Sequence, residues 1–234
     1  MISKYESFNL EIENDIANII LSRPEQLNSM SRKFWVELPE ILEEVNRNSE
    51  IRVLIISSTG KHFCAGMDLS AFDNGVANIP KEKRPDNARI GEALYRSARE
   101  LQEYISKLEK IRVPVIATIH GGCIGGAVDL VTACDIRLAT TDAFFCIQEI
   151  NIGMAADVGT LQRLPRIIPD SKMRELAYTG RRMLADEAKE SGLVSDVYNS
   201  QEEMVNAAKE MANEIAKKSP IAIYGLKALM NYSR

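Results

Sequence analysis

Glu149 and Asp157 stand in EINIGMAADVG, residues 149–159, a run otherwise made of small, apolar and glycine residues apart from Asn151. A solvated loop would carry more Lys, Ser and Asn. A core segment would carry no acid at all, because a buried ionised carboxylate is costly unless something pairs with it. The nearest basic residue downstream is Arg163. The two acids are therefore either structural or chemical. Two glycine turns offer a complementary chemistry: CAGMD (64–68) and GGCIGGAVD (121–129) each follow an apolar strand pattern. Glycine there lets backbone come close to something, and the first N–H groups of a following helix lack intrahelical partners. Two such donors meeting at one point would hold an oxyanion, as acyl and enolate chemistry requires. Taken alone, each turn reads as a tight turn packed on a neighbour.

Other chemistries find less support. Neither turn matches G-x-G-x-x-G or the phosphate loop G-x-x-x-x-G-K-[ST], against dinucleotide or ATP binding. The four cysteines (Cys64, Cys123, Cys134 and Cys146) form no C-x-x-C pair, and His62 and His120 lie far apart, so no zinc spacing is present. The cysteines sit among apolar residues, as buried thiols of a reducing, cytoplasmic compartment would. A net charge of −4 argues against a nucleic-acid partner, and the dense basic cluster KEKRP (81–85) is mixed with acid. No apolar run reaches the ~18 residues of a membrane span. The acidic start MISKYESFNLEIEND lacks the apolar region of a signal peptide and the Arg-rich pattern of a transit peptide.

The elements that must position these residues follow from periodicity. With 234 residues, 45% of them hydrophobic, the chain suits one large α/β domain, or one domain and a small appendage. FNLEIEND and IANIILSRP alternate around Asn14-Asp15 as a β-hairpin. Ser31 opens a helix, RKFWVELPEILEEVNRN, that Pro39 should kink or break. VLIISS (53–58) reads as a strand buried on both faces. Residues 73–90 read as a polar, mobile loop, and 91–111 as a helix with Leu94, Leu101, Ile105 and Leu108 on one face. PVIATIHGGCIGGAVDLVTACDIRLAT then repeats strand, glycine turn, short helix, strand, and AFFCIQ (143–148) adds another strand. Beyond Gly159 helices are expected at 160–168, 171–179, 185–191, 201–218 and 219–232, with a short strand at VSDVY. Alternating strands and helices point to an α/β core with an appended helical layer.

RPEQLNSM, FCAGMDL, HGGCIGGAVDLVTACDIRLAT and GTLQRLPRII, in that order, resemble the enoyl-CoA hydratase/isomerase (crotonase) superfamily over about residues 6–232. The resemblance implies a crotonase-like spiral of ββα units over residues 1–180 and a helical C-terminal region over 181–234. It also implies further C-terminal helices beyond Arg234, which in the family help to close the acyl pocket and build trimers. It places the thioester oxygen of an acyl-CoA on the N–H groups of Met67 and Gly126, and the adenine end of CoA against Ala65, Gly66, Met67, Asp68 and Leu69. The acids are most similar to those of the Δ3,5-Δ2,4-dienoyl-CoA isomerase branch. Where hydratases carry a first glutamate this chain has Asp129, the second glutamate position is Glu149, and Asp157 replaces a glycine. That implies isomerisation of a 3,5-dienoyl-CoA to the 2,4-dienoyl-CoA in fatty-acid β-oxidation, a proton leaving C2 and another returning at C6. By resemblance Glu149 is the base, Asp157 the acid, and Asp129 tunes or orients the pair. An acid at Asp157 would need a raised pKa, which an apolar surround and a neighbouring carboxylate can supply. No cofactor is implied, CoA being part of the substrate, nor any metal. A homotrimer or hexamer is.

The residues read by themselves leave other roles open. Asp157 can cap the helix that starts near Gly159, and without the resemblance that reading is preferred. Glu149 can end a strand at the surface, and Asp129 can face solvent. Asp135 reads as a salt-bridge or strand-end residue, His62 as a loop residue and His120 as a strand end. Arg163 can pair with an active-site acid or lie on a helix surface. The rival activity is hydration of a 2-enoyl-CoA by Glu149 and water. A non-catalytic acyl-CoA- or RNA-binding protein on the same scaffold ranks below both.

Overall fold

The computed structural model describes residues 2–68 and 86–232. Among these are ten strands, β1 (Ile2–Lys4), β2 (Phe8–Glu13), β3 (Ile16–Leu21), β4 (Val53–Ser58), β5 (Val115–Ile119), β6 (Gly122–Ile124), β7 (Ile136–Thr140), β8 (Phe144–Cys146), β9 (Met183–Leu184) and β10 (Asp196–Tyr198). Eight helices accompany them, α1 (Arg32–Arg47), α2 (Asn87–Lys110), α3 (Gly126–Thr132), α4 (Thr160–Arg163), α5 (Asp170–Thr179), α6 (Ala185–Glu190), α7 (Gln201–Ala216) and α8 (Pro220–Tyr232). Seven strands form one sheet in the order β1-β2-β3-β4-β5-β7-β10, antiparallel from β1 to β3 and parallel from β3 to β10. A small second sheet, β6-β8-β9, lies alongside.

The hairpin β2–β3 turns at Asn14-Asp15, both at positive φ, the left-handed geometry that two-residue hairpin turns need. β4 is buried throughout because its alternate side chains enter different cores. Leu54 and Ile56 join the main core, while Val53 and Ile55 pack with Ile116, Leu138 and the Met204, Ala208 and Ala212 face of α7. The segment after residue 180 thus supplies both an edge strand, β10, and a helix covering one sheet face.

Pro39 does not break α1, which runs unbroken from a Ser31 cap whose hydroxyl accepts the Phe34 N–H at 3.3 Å. Proline removes one helix hydrogen bond, and burial of Phe34, Trp35, Leu38, Ile41, Leu42 and Val45 outweighs that loss. α2 begins at Asn87, four residues earlier than periodicity placed it, because Asp86 caps the Arg89 N–H. Ile105 and Leu108 are buried and Leu101 half-buried, but Leu94 is exposed, so the apolar face covers only the second half of this helix. The expected helix 160–168 is α4 followed by a 3-10 turn, Leu164–Arg166, where Pro165 lacks an N–H to continue the ladder. Strands β1 and β9 have no counterpart in the sequence reading, nor has β6, whose residues read as part of the glycine turn. Residues 73–85 of the expected mobile loop, KEKRP included, lie outside the described residues. No described helix is long and apolar enough to cross a membrane.

Candidate active site

The loop after β4 and the turn after β5 are zipped together by backbone. Phe63 N–H donates to His120 O at 2.9 Å, Cys64 N–H to Gly122 O at 3.1 Å and Ile124 N–H to Cys64 O at 3.1 Å. On the other side of the first loop, Met30 N–H donates to Gly66 O and Asp68 N–H to Met30 O. In this parallel bridge between Met30 and Met67 the N–H of Met67 itself faces away from Met30. Gly126 opens α3, so its N–H has no intrahelical acceptor. Neither N–H has an acceptor among the described residues. The two turns touch: a side chain on Gly66 (φ +87°) would place its first carbon 2.5 Å from Ile124 O and 3.4 Å from Gly126 N. One on Gly126 would come 3.8 Å from Met67 N. The Met67 side chain is held from below, its Sδ taking the Trp35 Nε1–H at 3.3 Å. His62 braces the second turn by accepting the Gly122 N–H at Nδ1, 2.9 Å away. Burial, then the nearby Lys61 charge, lowers its pKa and so favours the neutral ring that can accept.

Three acids gather beside these donors. Glu149 begins a 3-10 turn after β8, half-buried, rather than ending a strand at the surface. Its Oε1 lies 3.2 Å from where a side-chain carbon on Gly125 would sit, and its Oε2 is buried without a hydrogen-bond partner in the described structure. Gly125, at φ +55°, is what lets the carboxyl come so close to the turn. Burial raises the Glu149 pKa and the Asp157 charge adds to it, against hydrogen bonds from the backbone of Glu149 and Gln148. Asp129 lies within α3 at 1% exposure, not facing solvent. Its Oδ1 accepts the Thr160 N–H at 2.6 Å, so the cap of α4 comes from Asp129. Burial pushes its pKa up to about 7; hydrogen bonding from Thr160 opposes this, Glu149 adds to it, and Arg163 opposes it more weakly. Asp157 makes no cap: α4 starts from Gly159 with no side-chain cap bond. Asp157 is exposed, and the apolar surround expected for it is not formed by the described residues.

Of the other candidates, Ala65 is half-buried with its N–H on Leu27 O, and Asp68 accepts from Ser29 Oγ at 3.3 Å and pairs with Arg23 at 3.9 Å. Leu69 lies outside the described residues. Asp135 is structural: it accepts the Val115 N–H at 2.8 Å and pairs at 2.7 Å with Lys227, a buried lysine of α8. His120 stands at the end of β5 and donates from Nε2 to Gly60 O at 2.9 Å. Arg163 pairs with Glu109 of α2 at 3.1 Å rather than with a site acid. Gln102, also on α2, donates to the Asp157 carbonyl at 2.6 Å. The α2 partners were not foreseen, because they act across more than fifty residues and belong to no local motif.

Taken together, paired backbone donors with a buried, unpartnered carboxyl oxygen beside them can stabilise an enolate and accept the proton that forms it. Comparison with known proteins agrees with that chemistry. The family model described as enoyl-CoA hydratase/isomerase matches residues 11–233. A mitochondrial Delta(3,5)-Delta(2,4)-dienoyl-CoA isomerase from Rattus norvegicus is 44% identical over 232 residues, covering 98% of this chain and 70% of that one. A peroxisomal protein of the same name from Arabidopsis thaliana is 43% identical over 222 residues, 95% of this chain and 79% of its own. Among solved structures, an enoyl-CoA hydratase from Bacillus anthracis superimposes with a TM-score of 0.84 at 32% identity, over 97% of this chain and 83% of that one. The chain is a member of the enoyl-CoA hydratase/isomerase family, with the crotonase fold.

Proposed function

We propose that this chain isomerises 3,5-dienoyl-CoA thioesters to the 2,4-dienoyl form, within the degradation of unsaturated fatty acids. The observation that carries the reading is the buried, unpartnered Oε2 of Glu149 beside the Met67 and Gly126 donors. Glu149 takes a proton from C2. The thioester oxygen gains negative charge as the electrons delocalise, and the two N–H groups stabilise it. Asp157 returns a proton at C6, which leaves double bonds at C2–C3 and C4–C5. Asp129, engaged with Thr160, orients the loop that carries Asp157 rather than touching substrate. A bound acyl chain would supply the apolar cover that Asp157 lacks among the described residues. Written this way the reaction is redox-neutral and needs no cofactor beyond the CoA that the substrate carries, held along Ala65 to Leu69. The names of the relatives support the same reaction. A reducing compartment such as the cytoplasm suits the four free, buried cysteines, although the two relatives are named mitochondrial and peroxisomal. We infer also a homotrimer or a pair of trimers, on the family resemblance and the apolar outer face of α8.

The test is an ultraviolet assay with 3,5-octadienoyl-CoA, with crotonyl-CoA in parallel. Formation of the conjugated 2,4-dienoyl thioester is expected, with little hydration of crotonyl-CoA. Asp157→Asn should lower isomerisation by on the order of a hundredfold or more while substrate binding stays near that of the parent, because the backbone donors remain. Hydration without isomerisation would make the chain a hydratase, and an Asp157→Asn variant as fast as the parent would remove Asp157 from the mechanism.

A further inference from the structure

Three side chains of α2 converge on the segment 157–163. Gln102 Nε2 donates to the Asp157 carbonyl at 2.6 Å. Ser106 Oγ accepts from Arg163 Nη2 at 2.9 Å, and Glu109 Oε2 from Arg163 Nε at 3.1 Å. Positions 102, 106 and 109 are four and three apart, so they share one face of the helix. Arg163 also reaches back to Val158 O at 3.4 Å and fills the space a side chain on Gly159 would need. The side chains of Arg163 and Glu109 are 11% and 19% exposed, so solvent screens their attraction only weakly. The backbone on both sides of Val158 is thus tied to α2: at Asp157 by Gln102, and at Val158 and Gly159 by Arg163. The Asp157 side chain, exposed, has no hydrogen bond or ion pair of its own among the described residues. Its place relative to Glu149 is therefore set through its backbone.

We propose that Arg163, braced on Glu109 and Ser106 and assisted by Gln102, is the positioning residue that holds Asp157 at the distance from Glu149 that proton return requires. This rests on the reading of Asp157 as the acid. The two halves of the reaction separate its effect from that of a general loss of fold. Removal of the C2 proton needs Glu149 and the backbone donors, whereas delivery at C6 needs Asp157. If Asp157 is misplaced, the dienolate forms but collapses back by reprotonation at C2.

The experiment follows 3,5-octadienoyl-CoA in D2O, measuring 2,4-dienoyl product and deuterium incorporated at C2 of unreacted substrate. Arg163→Gln is compared with Arg163→Lys, Gln102→Leu, Asp157→Asn and the parent. Gln102 is only half-buried, so its variant is the safer one for folding. In Arg163→Gln isomerisation is expected to fall by on the order of tenfold to a hundredfold, with C2 exchange near that of the parent, so that the ratio of exchange to isomerisation rises. Gln102→Leu should move the ratio the same way by less. Arg163→Lys, which keeps the charge and loses the planar fork, should fall between Gln and the parent. Exchange and isomerisation falling together in both Arg163→Gln and Gln102→Leu, or neither falling, would overturn the positioning role. Asp157→Asn separates the two levels: if it behaves as the parent, the assignment of the acid fails and the proposal with it. If it raises the ratio while Arg163→Gln does not, only the role of Arg163 is lost.

Discussion

At the scale of single residues the site turns on how a carboxyl is kept in a low-dielectric place. Asp129 accepts one backbone N–H, from Thr160, and has Glu149 near enough to oppose its ionisation. Its pKa of about 7 lies above the 3.8 of an ordinary aspartate. Between those values the folded chain holds more proton than the unfolded chain, so this residue makes stability fall as pH rises from about 4 to about 7. Over the whole window the fall is about 4 kcal/mol, from roughly three pKa units at about 1.4 kcal/mol each. Asp129→Asn keeps a carbonyl oxygen for the Thr160 N–H and has no proton to lose. Urea unfolding of both chains at pH 4 and pH 8 should therefore show the variant gaining on the parent as pH rises. An equal difference at the two pH values would mean that folding leaves the Asp129 pKa where it is in the unfolded chain. Glu149 differs from Asp129 in what its oxygens meet: the Asp129 carboxylate is spent on a helix cap, whereas Glu149 keeps one buried oxygen free.

At the scale of elements, the two glycine turns make one device. β4 and β5 are adjacent parallel strands, so the loops that leave their ends run side by side, and backbone hydrogen bonds between residues 64 and 122–124 keep them in register. Gly66 is where they touch. Alanine there would meet a backbone carbonyl, Ile124 O, at 2.5 Å and would hold an unfavourable φ of +87°. Relief means parting the loops and so parting Met67 N–H from Gly126 N–H. Gly66→Ala should thus lower kcat by on the order of a hundredfold, the size expected from losing one oxyanion donor. The chain should remain folded, since the strands beneath are untouched, and circular dichroism beside the activity assay would check this. Parent-like kcat in a folded variant would mean that the donors do not act as a pair. Much of this device was readable in the sequence, because strand, glycine turn and short helix follow one another locally. What was not readable are the bonds that cross between elements: Asp129 to Thr160, His62 to Gly122, Gln102 to Asp157. A side chain bonding to distant backbone leaves no periodicity. Without the resemblance Asp157 therefore read as a helix cap, and nothing local kept Asp129, the actual cap, from facing solvent. The short strands β1, β6 and β9 exist only through their pairing with β2 and β8, and so were missed for the same reason.

At the scale of the whole molecule, the inner side of α8 is firmly attached and the outer side is apolar. Buried Lys227 donates to Val113 O at 2.9 Å and pairs with Asp135, while Asn231 four residues on donates to Glu109 O at 2.8 Å. Asn231 thereby reaches the same α2 residue that braces Arg163. Facing outward, Ile221, Leu229 and Tyr232 are 81%, 69% and 92% exposed, with Tyr224 and Met230 also exposed. So many large apolar side chains on one helix form a patch of the kind that marks an association surface. The sequence alone showed α8 as a helix but not which of its apolar residues the core would use; the core takes almost none, and the buried residue is the lysine. Sedimentation velocity at micromolar concentration should show species heavier than the 26.1 kDa chain. Substituting Ile221→Glu and Leu229→Glu together should return the protein to a monomer that stays folded by circular dichroism, since neither side chain belongs to the buried clusters. A parent that stays monomeric across concentrations would refute the trimer. A double variant that unfolds instead of dissociating would show these side chains supporting the fold, which their exposure argues against.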